Sequence, residues 1–182
     1  MSAIALVVAL SSGCASSRWY DYRFAPAPIE VEVAAAAMTG TQVRTLVSVL
    51  GIARESAAGR DQAEIRMRLE NLGTVPATLV ESGLSLVSAD LQSFGPGELV
   101  QSVDTPSALT VPPGGHAVFD VHFALPGGQK PSKLDLSGLN LRWTLDFAGT
   151  SVTTGATFQL QYFEVYDPWY PRWSVGVGYV HH

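Results

Sequence analysis

Residues 139–158 read LNLRWTLDFAGTSVTTGATF, and this stretch decides the fold. Apolar side chains occupy every second position of its first half, which is the period of a half-buried β-strand. A turn at Ala148-Gly149 pairs apolar residues on one face: Leu145–Val152, Leu141–Ala156 and Leu139–Phe158. It pairs polar residues on the other face: Asp146–Ser151, Thr144–Thr153 and Asn140–Thr157. Because a slip of one residue mixes the two faces, the sequence predicts an antiparallel hairpin in this register.

The same alternation recurs along the rest of the chain. Residues 29–33 read IEVEV and place Glu30 and Glu32 on the solvent face. Residues 41–53 are apolar on both faces, which indicates a central strand or a strand with a bulge. Two further stretches alternate strictly, and their inward residues are Ala63, Ile65, Met67, Leu69, Ala117, Phe119, Val121, Phe123 and Leu125. Helical periodicity is absent from longer windows, so we expect an all-β fold, an antiparallel sandwich of about seven to nine strands.

Two stretches carry a resemblance to known sandwich domains. They are RMRLENLGTVPATLV at residues 66–80 and TVPPGGHAVFDVHFALP at residues 110–126. Both resemble the strand-and-turn pattern of bacterial immunoglobulin-like or late-embryogenesis-abundant type-2-like domains. The resemblance implies an immunoglobulin-like β-sandwich, which we assign to residues 29–163. It also implies a binding or supporting role, because such domains mostly do not catalyse reactions.

An apolar run and a group of small residues precede the single cysteine of the chain, Cys14. Residues 3–10 read AIALVVAL, which is shorter than the ~18–20 residues of a transmembrane helix but fits the core of a secretory signal. The stretch LSSGC at residues 10–14 resembles the lipobox of bacterial lipoproteins. That resemblance implies a signal peptide at residues 1–13 and acyl chains, such as palmitate, on Cys14. The alternative is a buried free cysteine after an ordinary signal peptide or a short core strand.

The residue after the cysteine bears on localisation. It is Ala15, whereas in enterobacterial lipoproteins an Asp at this position retains the protein at the inner membrane. The resemblance therefore implies the cell envelope, at the outer membrane and facing the periplasm. The membrane, reached through the lipid, is the first expected partner, and an envelope protein or a glycan is the second.

Aromatic residues are concentrated near both ends of the chain. Residues 14–28 read CASSRWYDYRFAPAP, a lipidated tether that contains the candidate contact residues Trp19, Tyr20 and Tyr22. Residues 164–182 form an aromatic tail with a possible final strand at 173–180 and the candidates Tyr166, Trp169, Tyr170 and Trp173. Three interpretations remain open for the tail. It closes an edge of the sandwich, docks to a partner or the membrane interface, or stacks on the sugar rings of peptidoglycan or another glycan.

Composition and motifs argue against several classes of chemistry. Sixteen acidic and 11 basic residues give a net charge of −5, which argues against nucleic-acid binding. Motifs for a serine nucleophile, a phosphate loop and a zinc protease are absent, so we expect no catalytic residues, metal or cofactor. Asp120 and His122 share one face of a strand, and we expect both to be solvated. The sequence thus favours a non-enzymatic binding or assembly module over a glycan-binding module, and either over an envelope hydrolase.

Overall fold

The computed structural model describes residues 22–53, 61–101 and 109–161, in which ten strands form two sheets. The strands are β1 Phe24–Ala25, β2 Ile29–Val33, β3 Val43–Ala53, β4 Gln62–Asn71, β5 Ala77–Ser88, β6 Gly97–Gln101, β7 Thr110–Val111, β8 His116–Ala124, β9 Gly138–Phe147 and β10 Thr150–Leu160. Two single 3-10 turns, Pro126–Gly128 and Pro131–Lys133, lie between β8 and β9. The predicted all-β sandwich is confirmed, and its strand number exceeds the expected range because β1 and β7 are two-residue strands.

Each sheet contains five strands, and every pairing between them is antiparallel. The first sheet has the order β2-β3-β4-β8-β6, and the second has the order β1-β10-β9-β5-β7. The inward residues of both sheets form one apolar core, whose largest members are Trp143, Phe123, Phe147 and Phe158. Such burial is the main favourable contribution to folding, since each large apolar side chain removed from water contributes about 1.5–3 kcal/mol.

The β9–β10 hairpin has the predicted register in all six pairs that the sequence specified. Its two-residue turn places Ala148 at φ 50° and Gly149 at φ 94°. Positive φ at both turn positions matches the twist of the flanking strands, which explains the tight connection. The Gly149 amide also donates to Asp146 Oδ1 at 3.0 Å. The local sequence therefore holds both the turn and the register.

The other predicted alternations also match the structure. In β4 the side chains of Ala63, Ile65, Met67 and Leu69 are fully buried. The strand β3 contains the bulge that residues 41–53 indicated, between Val49 and Gly51. Buried polar residues depart from the pattern: Gln62 is 7% exposed on the outer face of β4, and on the same face Glu64 is only 2% exposed. Alternation assigned these residues to a face, and it did not determine how deeply they are buried.

The sandwich begins earlier in the chain than the expected boundary at residue 29. Phe24 and Ala25 pair with Leu160 and Gln159, so part of the expected tether is an edge strand of the second sheet. The physical reason is the phenyl ring of Phe24, which is 3% exposed and joins the core, since aromatic rings stabilise a fold by burying large areas. Residues 162–182 lie outside the described ranges, and so does the predicted end of the domain at residue 163.

Asn71 joins two turns at the end of β4, and its side chain is almost fully buried. Its Nδ2 donates to the carbonyl oxygens of Val75 and Val111, each at 2.9 Å. Its Oδ1 accepts from the Gly73 amide at 3.0 Å. The amide therefore joins the β4–β5 turn to β7 through their backbone groups.

Candidate functional site

Several segments of the described chain meet at one end of the sandwich. The strands β5 and β10 end there and β9 begins there, because β9 pairs antiparallel with both. The strand β8 of the other sheet ends nearby, since the Gly95 amide, which follows β5, donates to the Ala124 carbonyl oxygen at 2.8 Å. Backbone hydrogen bonds join the segments: Gln161 N–H to Arg23 O at 2.8 Å, Leu160 N–H to Ser137 O at 3.0 Å, and Ala89 N–H to Asp135 O at 3.3 Å. We call this surface the rim and define it as residues 22–23, 88–93, 129–137 and 160–161.

The turn after β5 is held by its own polar side chains. The hydroxyl of Ser88 donates to Asp90 Oδ1, and Gln92 Nε2 donates to Asp90 Oδ2 at 2.7 Å. The hydrogen bond from Ser88, followed by the weaker contribution of Gln92, holds the pKa of the Asp90 carboxyl below its ordinary value. The turn is also joined to the next segment, because Gln129 Nε2 donates to Gln92 Oε1 at 3.5 Å.

Leu91 sits at the tip of this turn in a conformation that leucine seldom adopts. Its φ is 64°, in the left-handed region, and the residue is 80% exposed. A left-handed backbone costs a residue with a β-carbon about 1–2 kcal/mol, and exposure forgoes the gain of burying an apolar side chain. Backbone conformation and solvation thus both disfavour leucine at this position, although the surrounding turn is well ordered by hydrogen bonds.

The rim also holds both lysines of the chain, Lys130 and Lys133. Both side chains are exposed, and no ion pair or hydrogen bond of either ammonium group is seen with the described residues. Together with Arg23 they give the rim three basic residues against two acidic ones, Asp90 and Asp135. The rim therefore has a formal charge of +1 on a chain whose net charge is −5.

A polar row crosses the outer face of the first sheet close to the rim. The register places Glu98, His122 and Glu64 side by side on β6, β8 and β4. Gln62 Nε2 lies 2.9 Å from His122 Nδ1 and donates to Glu64 Oε1 at 3.0 Å. The other ring nitrogen of His122, Nε2, lies 3.8 Å from Glu64 Oε1.

The position of His122 corrects the expectation that its side chain is solvated. Only 11% of that side chain is exposed, because it packs beside Gln62 and Glu64 rather than projecting into water. Asp120 was also expected to be solvated, and its carboxylate instead accepts two hydrogen bonds from Arg66, both at 2.8 Å. Within the described ranges, no group of three or more His, Cys, Asp or Glu residues is placed to hold a metal ion.

Ion pairs continue along the same outer face away from the rim. Glu70 accepts hydrogen bonds from Arg44 and also pairs with Arg68, whose Nη2 lies 2.8 Å from Glu70 Oε1. The hydrogen bond from Arg44 is the main reason that the pKa of the Glu70 carboxyl is lowered. The Arg44 pair joins β3 to β4 and the Arg68 pair lies within β4, so the polar face of β4 contributes to the sheet's own stability.

Most of the contact residues that the sequence singled out lie outside the described ranges. They are Cys14, Trp19, Tyr20, Tyr166, Trp169, Tyr170 and Trp173. Tyr22 is described, and its half-buried ring packs against the apolar core. Among residues 22–53, 61–101 and 109–161, no helix is long and apolar enough to cross a membrane.

Comparison with protein-family models gives no match, and no curated protein matches the chain either. The site is therefore described from the geometry of the chain alone.

Sequence reasoning did not single out Leu91, Lys130 or Lys133. One signal was present in the sequence, since the only two lysines of the chain lie three positions apart, on either side of Pro131 and just after Pro126-Gly127-Gly128.

Proposed function

We propose that this chain is a lipid-anchored protein of the bacterial cell envelope, held through acyl chains on Cys14 at the outer membrane and facing the periplasm. The observation that carries the proposal is the stretch LSSGC, in which the only cysteine directly follows an apolar run and small residues. Several acyl chains on one residue provide firm anchoring, since each buried CH₂ group contributes about 0.8 kcal/mol. The folded part is then a non-enzymatic binding or assembly module.

The arrangement of the sandwich supports this proposal in one respect. A rigid β-scaffold with its loops gathered at one end is a common way to present binding residues. Tyr22, which belongs to the proposed tether, lies at the same end as these loops. An anchored chain would therefore hold its loop-bearing end close to the membrane and to any partner located there.

The anchor is tested by the intact mass of the full chain, expressed in a bacterium that processes lipoproteins. We expect cleavage before Cys14 and a mass increase from acyl chains, with partitioning into detergent. Cys14→Ser should abolish both. The matched control is Cys14→Ser combined with Ser17→Cys, which keeps one thiol but moves it away from the processing position. An unmodified, detergent-independent wild-type chain, or acylation of the relocated cysteine, would contradict the proposed anchor.

The binding role is tested by deleting Tyr166–Trp173 from the full chain. We expect loss of capture of an envelope partner, with an unchanged melting temperature of the sandwich, and unchanged capture would contradict the assignment to the tail.

Glycan recognition is the second candidate, because six aromatic residues lie within residues 162–173. It predicts that cell-wall sugars alter tryptophan fluorescence, while the fully buried Trp143 contributes a constant background.

A further inference from the structure

We infer that the rim is the membrane-facing surface of the anchored protein, where Lys130 and Lys133 contact the headgroups of anionic phospholipids and Leu91 contacts the adjoining acyl chains. The inference rests on the proposed anchor for its geometry, and it adds a second, non-covalent contact with the same membrane. Its three residues belong to none of the segments to which the sequence assigned a contact role.

The path of the chain places the rim near the anchor. Tyr22 and Arg23 belong to the rim, and the Arg23 carbonyl oxygen accepts from the Gln161 amide on the last described residue. Eight residues lead from Cys14 to Tyr22, and at full extension they reach about 29 Å. The opposite end of the sandwich is farther away by the length of β9, whose ten residues extend about 33 Å. The tether therefore brings the rim to the membrane more readily than it brings the opposite end.

The chemistry of the rim fits a headgroup layer. Leu91 is an exposed apolar side chain on a turn that its own hydrogen bonds order, so its contact with acyl chains costs little further loss of freedom. Both flexible lysines lie on the neighbouring segment, which Gln129 joins to that turn. Each lysine near an anionic surface increases the affinity for that surface about fivefold. An apolar tip flanked by cations is the combination that binds at the boundary between headgroups and acyl chains.

Two carboxylates on the rim oppose this attraction without cancelling it. Both oxygens of Asp90 accept hydrogen bonds from Ser88 and Gln92, and Asp135 Oδ1 accepts from the Ser137 amide at 3.0 Å. The rim keeps a formal charge of +1. A free domain with so small a charge binds membranes weakly, but an anchored domain is already at high local concentration, so a weak contact is enough to select its orientation.

The experiment couples the Cys14 thiol of the full chain to a maleimide lipid in vesicles, with or without phosphatidylglycerol in phosphatidylcholine. An amine-acylating reagent then reports on the rim, because Lys130 and Lys133 are the only lysines. We expect acylation of both to be about fivefold slower on anionic vesicles than on neutral ones. Arg142 is exposed on the outer face of the second sheet, and its modification by phenylglyoxal should be unchanged.

Two variants make the result specific. Leu91→Asn removes the apolar tip but suits a left-handed backbone, so we expect faster acylation of the lysines with no loss of folding stability. Lys133→Glu should remove most of the protection at Lys130, whereas Arg142→Glu, with the same change in charge on another face, should not. Equal acylation rates on the two kinds of vesicle, or equal protection of Arg142, would overturn the inference. Because the coupling is chemical, failure of lipidation in cells is detected separately by the intact mass.

Discussion

Replacing Asn71 with alanine tests the account of how the two turns beside β4 are held. The side chain makes three hydrogen bonds, two donated to carbonyl oxygens and one accepted from an amide. Each contributes about 1 kcal/mol net, so Asn71→Ala should lower the free energy of unfolding by about 3 kcal/mol. For a domain of this size that corresponds to a fall in melting temperature of about 6–12 °C.

The substitution Asn71→Asp sharpens the test through its pH dependence. It retains the acceptor for Gly73 but loses both donors, and it sets a carboxylate against the carbonyl oxygens of Val75 and Val111. This environment raises the pKa of the introduced carboxyl in the folded state above its unfolded value near 3.9. The penalty is therefore present at neutral pH and diminishes as the pH falls through the folded-state pKa, because the protonated carboxyl donates one hydrogen bond.

Urea denaturation followed by the fluorescence of the buried Trp143 measures these changes. The control is Asn140→Ala in the exposed hairpin, where the side chain accepts one hydrogen bond, from Thr157 Oγ1 at 2.8 Å. We expect this control to cost less than about 1 kcal/mol. If Asn71→Ala costs no more than Asn140→Ala, or if the penalty of Asn71→Asp is the same at all pH values, the reasoning is refuted.

Three further predictions follow from single contacts. Thr45→Val should raise the free energy of unfolding by about 1 kcal/mol, because Thr45 Oγ1 is buried without a hydrogen-bond partner in the described part of the chain. Urea denaturation measures this, and a lower free energy of unfolding in the variant would contradict it. Glu70→Gln should destabilise at neutral pH and lose its effect in acid. Because the pKa of Glu70 is lower in the folded state, its pairing with Arg44 stabilises the fold at pH values above the unfolded-state pKa, and this stabilisation is lost as the pH falls through the folded-state pKa. Urea denaturation of both proteins over an acid pH series checks this, and a difference in unfolding free energy that stays constant with pH would refute it. Gly83→Ala should cost about 1–3 kcal/mol, since its β-carbon would lie 2.6 Å from Thr144 Oγ1, and Thr144→Gly should recover part of the loss in a double-mutant cycle.

The features that sequence reasoning predicted are those encoded locally. The β9–β10 register follows from one turn and one alternation, and the inward face of β4 follows from four apolar residues at a period of two. The place of β1 beside β10 is different in kind, because it depends on the pairing of Phe24 with Leu160, which lies far away in the sequence. No local pattern specifies such a partner, so the predicted tether extended too far.

The sequence predicted which face of the sheet a polar residue lies on better than it predicted how deeply that residue is buried. The period of two placed Glu64 and His122 on the outer face correctly, but it carries no information on depth. Their burial depends on neighbours such as Gln62, whose amide lies between the imidazole and the carboxylate. A buried polar side chain is stable only with such partners, so its depth is a property of the assembled sheet and not of one strand.

Leu91 is the residue whose presence the stability of the fold explains least. Its left-handed backbone favours glycine or asparagine, and its exposed side chain contributes little to the core. The neighbouring lysines likewise make no described ion pair that would stabilise the sandwich. All three lie on the surface where the chain arrives from the proposed anchor. Contact with the membrane accounts for the apolar tip, the two cations and their shared location by one physical cause, whereas folding stability accounts for none of them.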